Sequence, residues 1–258
     1  MSGAANIHST ALSVGGRRLE ALDVPGDDGR APLVLLHEGL GSVGLWRRFP
    51  ELLATATGRR VIAFSRFGHG RSEPPARPRT QAFFHHEALE VLPAVLSILR
   101  AERPVLVGHS DGGSIALIAG GALPVTGIIV LAAHVFVEEM TVSEIARVRV
   151  AFVDGDLRER MSRHHDSPDA AFWGWCDVWL DPAFRAWSLD ADVAEITAPA
   201  LVIQGSEDPY GSLAQVGRIV AAIGPSARPL ILPGGHSPHL ERPDQVVDAI
   251  AQFTAELA

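Results

Sequence analysis

The chain has a single cysteine, Cys176, among 258 residues, so no intramolecular disulfide can form. No uninterrupted apolar run is long enough to span a bilayer, which excludes a membrane-spanning helix. There is no basic run. Lys+Arg number 22 against Asp+Glu 30, a net charge of −8, which argues against nucleic acid as the main partner. Met1 to Asp23 lacks the charged-then-apolar pattern of a signal peptide, so a cytoplasmic location is expected. Repeats and low-complexity segments are missing too. What is present is ordinary globular composition, 47% apolar and 20% charged, in a length suited to one large α/β domain.

The chain alternates short apolar runs with helical patterns. Ile7 to Val24, with Gly15-Gly16 in the middle, predicts a hairpin at a sheet edge. Buried strands are expected at Pro32–Leu36, Arg60–Phe64, Val105–Val107, Val125–Leu131, Pro199–Ile203 and Pro229–Leu232. Helices are expected at Leu45–Thr57, Thr80–Leu99, Ser114–Gly120, Ser212–Ile223 and Pro238–Leu257. This rhythm predicts a mostly parallel sheet with helices on both faces. It breaks between Val135 and Ile196, a helical stretch rich in tryptophan: Trp173, Trp175, Trp179 and Trp187. The expected organisation is a core of residues 1–134 and 197–258 with an inserted helical cap at 135–196, over the sheet edge where ligands bind.

The most informative stretch is Val105 to Ser114. A strand runs into Gly108-His109-Ser110-Asp111-Gly112, and a helix of small and apolar residues follows. A serine at the tip of so sharp a turn must adopt a strained backbone. Its flanking glycines are there because a Cβ would come too close. The hydroxyl of Ser110 is then held above the sheet at the positive end of the helix. A serine hydroxyl needs a base to act as nucleophile, and the base needs an orienting carboxylate. Two later strand ends offer both: Gly205-Ser206-Glu207-Asp208, and Gly234-Gly235-His236.

With these motifs the chain resembles the α/β-hydrolase fold with a lid, in the esterase, thioesterase and carbon–carbon hydrolase group. His37-Glu38-Gly39-Leu40-Gly41-Ser42 is similar to the family's oxyanion loop, and Ser65 to Ser72 to its glycine-rich turn. The resemblance implies Ser110 as nucleophile, His236 as base and then acid, and Asp208 as orienter. It also implies an oxyanion hole from the backbone N–H groups of Gly39 and Asp111, and no metal or organic cofactor. The family usually has glycine after the loop histidine, where this chain has Glu38. That carboxylate either faces the substrate or pairs with a neighbour such as Arg66.

Other residues compete for these roles. Glu207 rivals Asp208. His239 rivals His236 but falls in the expected last helix and is assigned to the surface. His109 is expected to pack against a strand. The carboxylate of Asp111 suits either the helix N-terminus or substrate contact. His85, Trp173, Trp179 and Tyr210, with Glu38, are expected to line the pocket. The pairs His85-His86 and His164-His165 are not expected to hold metal, because adjacent side chains point apart. Cys176 is expected to be buried and inert.

The expected activity is hydrolysis of a small or medium carboxylic ester or thioester through an acyl-enzyme. The alternatives are a carbon–carbon bond hydrolase, a cofactor-free lyase or perhydrolase, and a non-catalytic binding protein. Carbon–carbon hydrolases of this type usually have asparagine before the nucleophile; here it is His109, and Asn6 is the chain's one asparagine. The expected partners are a small-molecule substrate and a second copy in a homodimer, with no nucleic acid and no membrane.

Overall fold

The computed structural model describes residues 8–76 and 78–257. Their eight strands form one sheet: β1 (His8–Val14), β2 (Arg17–Val24), β3 (Leu33–Leu36), β4 (Val61–Phe64), β5 (Val105–His109), β6 (Gly127–Leu131), β7 (Ala200–Gly205) and β8 (Ala227–Leu232). The order across the sheet is β1-β2-β4-β3-β5-β6-β7-β8. The β1–β2 and β2–β4 pairings are antiparallel, and the others are parallel. Ile7, the first residue of the expected hairpin, lies outside the described residues.

Strand periodicity divides the core in two. Val34, Leu36, Ile62, Phe64 and Leu106 point to one face of the sheet, and Leu33, Leu35, Val61, Ala63 and Val105 to the other. The first face is covered by the helices Leu92–Leu99, Asp111–Ala122 and Leu213–Ile223. The second is covered by Phe49–Thr57 and Pro243–Ala255. Every residue of β3, β4, β5, β6 and β7 is buried, which is why these strands read as continuous apolar runs.

Between β6 and β7 lie the helices Glu139–Val153, Leu157–Ser162, Pro168–Leu180 and Asp190–Ala194. The base of this segment is closed by the Leu189 N–H donating to the Val135 carbonyl at 2.8 Å. Among the described residues, no helix is long and apolar enough to cross a membrane.

Prolines reset three expected helices. The segment 80–99 is not one helix: Phe83–His86 leads into a π-helical turn, Glu87–Val91, and then Leu92–Leu99. Pro93 has no N–H to give and crowds the preceding turn, so the regular ladder cannot run through it. The last helix breaks at Arg242, whose φ of −135° reflects the exclusion of helical backbone before Pro243. A short helix, Pro238–Glu241, is thereby turned inward. Near the amino end, a 3₁₀ turn at Val43–Trp46 precedes a helix that begins only at Phe49, with Pro50 in its first turn.

Candidate active site

Ser110 follows β5 with φ 52° and ψ −118°, the strained conformation expected of a serine at this turn. The glycines around it are sterically required. A Cβ on Gly108 would lie 2.2 Å from the Gly112 carbonyl oxygen, and one on Gly112 would lie 1.9 Å from that of Leu36. Asp111 opens the following helix, so its N–H has no acceptor within that helix.

The fold brings the three separated motifs together. The Ser110 hydroxyl donates to His236 Nε2 at 2.9 Å. His236 Nδ1–H donates to both Asp208 oxygens, at 2.9 and 2.8 Å. Asp208 also accepts from Gln204 Nε2 at 2.7 Å and from the Tyr210 N–H at 2.8 Å. Glu207 is exposed and its N–H bonds the Gly234 carbonyl, so Asp208 is the carboxylate behind the ring. A proton on the hydroxyl can pass to the imidazole, and a positive charge on the ring would meet the carboxylate.

His239 corrects the sequence-based expectation. It is buried, 4% exposed, against Trp46, Phe49 and His109, and burial lowers its pKa to about 3. The break at Pro243 turned its short helix inward. It does not contact the hydroxyl, and it is not a surface residue. His109 is buried, with its Nε2 on the His236 carbonyl at 2.7 Å, which braces the loop carrying His236.

A cavity of about 220 Å³ lies over Ser110. Glu38, Gly39, Asp111, Trp179, Tyr210 and His236 line it, as do Thr141 and Ile145 from the helix Glu139–Val153. Trp173 and His85 do not. Trp173 meets Phe172 edge-to-face with the Arg149 guanidinium over its ring, and His85 meets Asp192 at 3.1 Å. Trp175 takes the expected place of Trp173: four residues before Trp179, it shares that helix face. A Cβ on Gly39 would come 2.3 Å from the Trp175 ring, so a larger residue here would displace either the ring or the loop. The i,i+4 spacing of the two tryptophans was the signal that could have identified Trp175.

Two acidic residues line this space, Glu38 and Asp111. Burial raises the pKa of Asp111 above its ordinary value, against the pull of Arg66 and a hydrogen bond from Trp179. Desolvation also raises that of Glu38. Arg66 does not pair with the Glu38 carboxylate. Its guanidinium donates to the carbonyls of His37 and Glu38, the latter at 2.8 Å, while the carboxylate lies 3.9 Å from His109 Nδ1. Cys176 is buried and its thiol is pushed up to about 11, as an inert cysteine requires.

A model of the alpha/beta hydrolase family matches residues 33–249. This chain belongs to the alpha/beta hydrolase family. Its relatives within reach of sequence comparison include the serine hydrolase BPHL of Mus musculus, 24% identical over 241 residues and covering 88% of this chain and 80% of the relative. A proline iminopeptidase of Levilactobacillus brevis is 27% identical over 270 residues, covering 88% of each. Among solved structures, the enol-lactonase of Burkholderia xenovorans superposes with TM-score 0.75 at 21% identity, covering 96% of this hydrolase and 100% of that chain. A membrane phospholipase A superposes with TM-score 0.81 at 18% identity, covering 96% and 85%. These structural likenesses support the α/β-hydrolase fold.

Proposed function

We propose that this α/β hydrolase is a serine hydrolase cleaving a small carboxylic ester or thioester through an acyl-enzyme. The observation that carries this is the continuous chain from the Ser110 hydroxyl through His236 to Asp208, with bonds of 2.9 and 2.8 Å. In the first step Ser110 Oγ bonds to the substrate carbonyl carbon and its proton moves to His236 Nε2. The tetrahedral oxyanion is met by the N–H groups of Gly39 and Asp111, each such donor being worth roughly 3–4 kcal/mol in the transition state. His236 then protonates the departing alcohol or thiol. Water repeats the sequence on the acyl-enzyme and releases the acid.

The cavity supports a short acyl group: about 220 Å³ is below the usual range for drug-sized ligands. The segment 135–196 acts as the lid, supplying Trp175 and Trp179 to the cavity wall. Among the described residues no arginine lines the cavity, and two acidic residues do. This disfavours acids carrying their own carboxylate, the substrates of the carbon–carbon hydrolases.

The test is a screen of acyl chains of graded length, as oxygen esters and as thioesters, with Ser110→Ala as control. Turnover should favour the shortest acyl groups, and the control should lose several orders of magnitude in kcat. A control retaining more than about a tenth of the activity would rule out Ser110 as nucleophile.

A further inference from the structure

Among the buried histidines that the proposed chemistry leaves unused, His37, His69 and His165 form one group. The fold gathers them behind the loop 38–40. The His37 and His69 rings are 4.9 Å apart between centroids, and His69 and His165 are 5.8 Å apart. Each takes one carbonyl in turn. His37 Nδ1–H donates to the Glu38 oxygen at 2.7 Å, His69 Nε2–H to that of Gly39 at 2.9 Å, and His165 Nε2–H to that of Leu40 at 2.9 Å.

The opposite nitrogen of each ring is an acceptor, which decides the tautomer. The Arg66 backbone N–H donates to His37 Nε2 at 3.0 Å, Arg79 Nη2 to His69 Nδ1 at 2.9 Å, and the Gly70 N–H to His165 Nδ1 at 3.0 Å. Only neutral imidazoles satisfy all six bonds.

The consequence follows from peptide geometry. In a trans peptide the carbonyl and the next N–H point in opposite directions. Drawing the Glu38 carbonyl back to His37 and Arg66 therefore turns the Gly39 N–H the other way, and Gly39 lines the cavity over Ser110. The aim of this donor is set by what holds the loop carbonyls, so glycine at position 38 is not needed for it.

His165 differs from the other two in origin. It follows the helix Leu157–Ser162, in the segment between β6 and β7, 125 residues from the carbonyl it holds. A second bond, from the Asp166 N–H to the Gly70 carbonyl at 2.9 Å, fastens the same turn. We propose that His165 is a positioning residue for the oxyanion loop, and that through it the seating of the helical segment sets the alignment of the Gly39 N–H. This rests on Ser110 being the nucleophile, as proposed above.

Two variants separate the loop bond from the fastening to Gly70. In His165→Gln the side-chain amide N–H still reaches the Leu40 carbonyl from the Nε2 position. In His165→Asn the shorter amide accepts from the Gly70 N–H but falls short of Leu40. Both are assayed with p-nitrophenyl acetate, beside wild type and Ser110→Ala, and titrated with phenylboronic acid, which forms a tetrahedral adduct on an active serine. The expected result is a kcat loss of about tenfold or more for His165→Asn with KM within about twofold, and kcat within about threefold of wild type for His165→Gln. Boronate affinity should fall with kcat/KM in the asparagine variant alone.

The reverse order, equal losses in both variants, or both within about twofold of wild type would overturn the role of His165. Equal losses of folding, seen by melting, count as equal losses. Activity undiminished in Ser110→Ala would instead overturn the nucleophile and leave the histidine comparison aside.

Discussion

The indole N–H of Trp179 donates to Asp111 Oδ1 at 3.1 Å, joining the segment between β6 and β7 to the residue next to the Ser110 hydroxyl. Asp111 is 1% exposed and sits at the start of its helix, so this bond stabilises a carboxyl group that has little water. Trp179→Phe keeps most of the packing and removes the donor. It should destabilise the protein by about 1–3 kcal/mol, a melting temperature roughly 3–10 °C lower by calorimetry.

Gln204 holds the Asp208 carboxylate behind the His236 ring. Its amide donates to Asp208 Oδ2 and to the Gly211 carbonyl at 3.1 Å. Gln204→Leu leaves Asp208 free to rotate away from His236. In steady-state kinetics kcat should fall by about 10- to 100-fold while KM changes little, because only the transition state depends on the orientation of the ring.

Gly39→Ala introduces a methyl group where the Trp175 ring stands 2.3 Å away. Either the loop or the tryptophan must move. Because the Gly39 N–H is a proposed oxyanion donor, kcat should drop by about 100-fold or more. Pairing it with Trp175→Ala, which clears the space, should recover part of that loss in a double-mutant cycle.

Acid should destabilise the fold through its histidines. Burial lowers the pKa of His37, His69 and His109 well below the ordinary value, those of His134 and His165 to about 4, and that of His239 to about 3. Between about pH 6.5 and these values the unfolded chain binds protons that the folded chain refuses, so stability falls as pH falls. The raised carboxyls of Glu38, Glu87 and Asp111 act in the opposite sense, but they are fewer. Melting curves should therefore shift down by about 10 °C or more from pH 7.5 to pH 5.

Cys176 should resist thiol reagents while the protein is folded. Its thiol is buried and held at about 11, so little thiolate exists near neutrality. Iodoacetamide should label it only after denaturation, as read by mass spectrometry.

The amino-acid sequence by itself determined the sheet and the strained serine. Strands buried on both faces must be apolar throughout, and the turn at Ser110 has no room for a Cβ at Gly108 or Gly112; both are short-range steric constraints that leave their mark in a few consecutive residues. The order of serine, aspartate and histidine at successive strand ends was legible for the same reason. The tertiary structure alone decided that the helix face shared by Trp175 and Trp179 meets the cavity, that His239 turns inward, that Gln204 reaches Asp208, and that His165 holds Leu40. Each of these depends on how a helix is rotated or a turn is broken, and on contacts between residues distant in the chain, such as the 125 positions that separate Leu40 from His165. Spacing along the chain carries no record of such distances, because packing of the whole molecule fixes them.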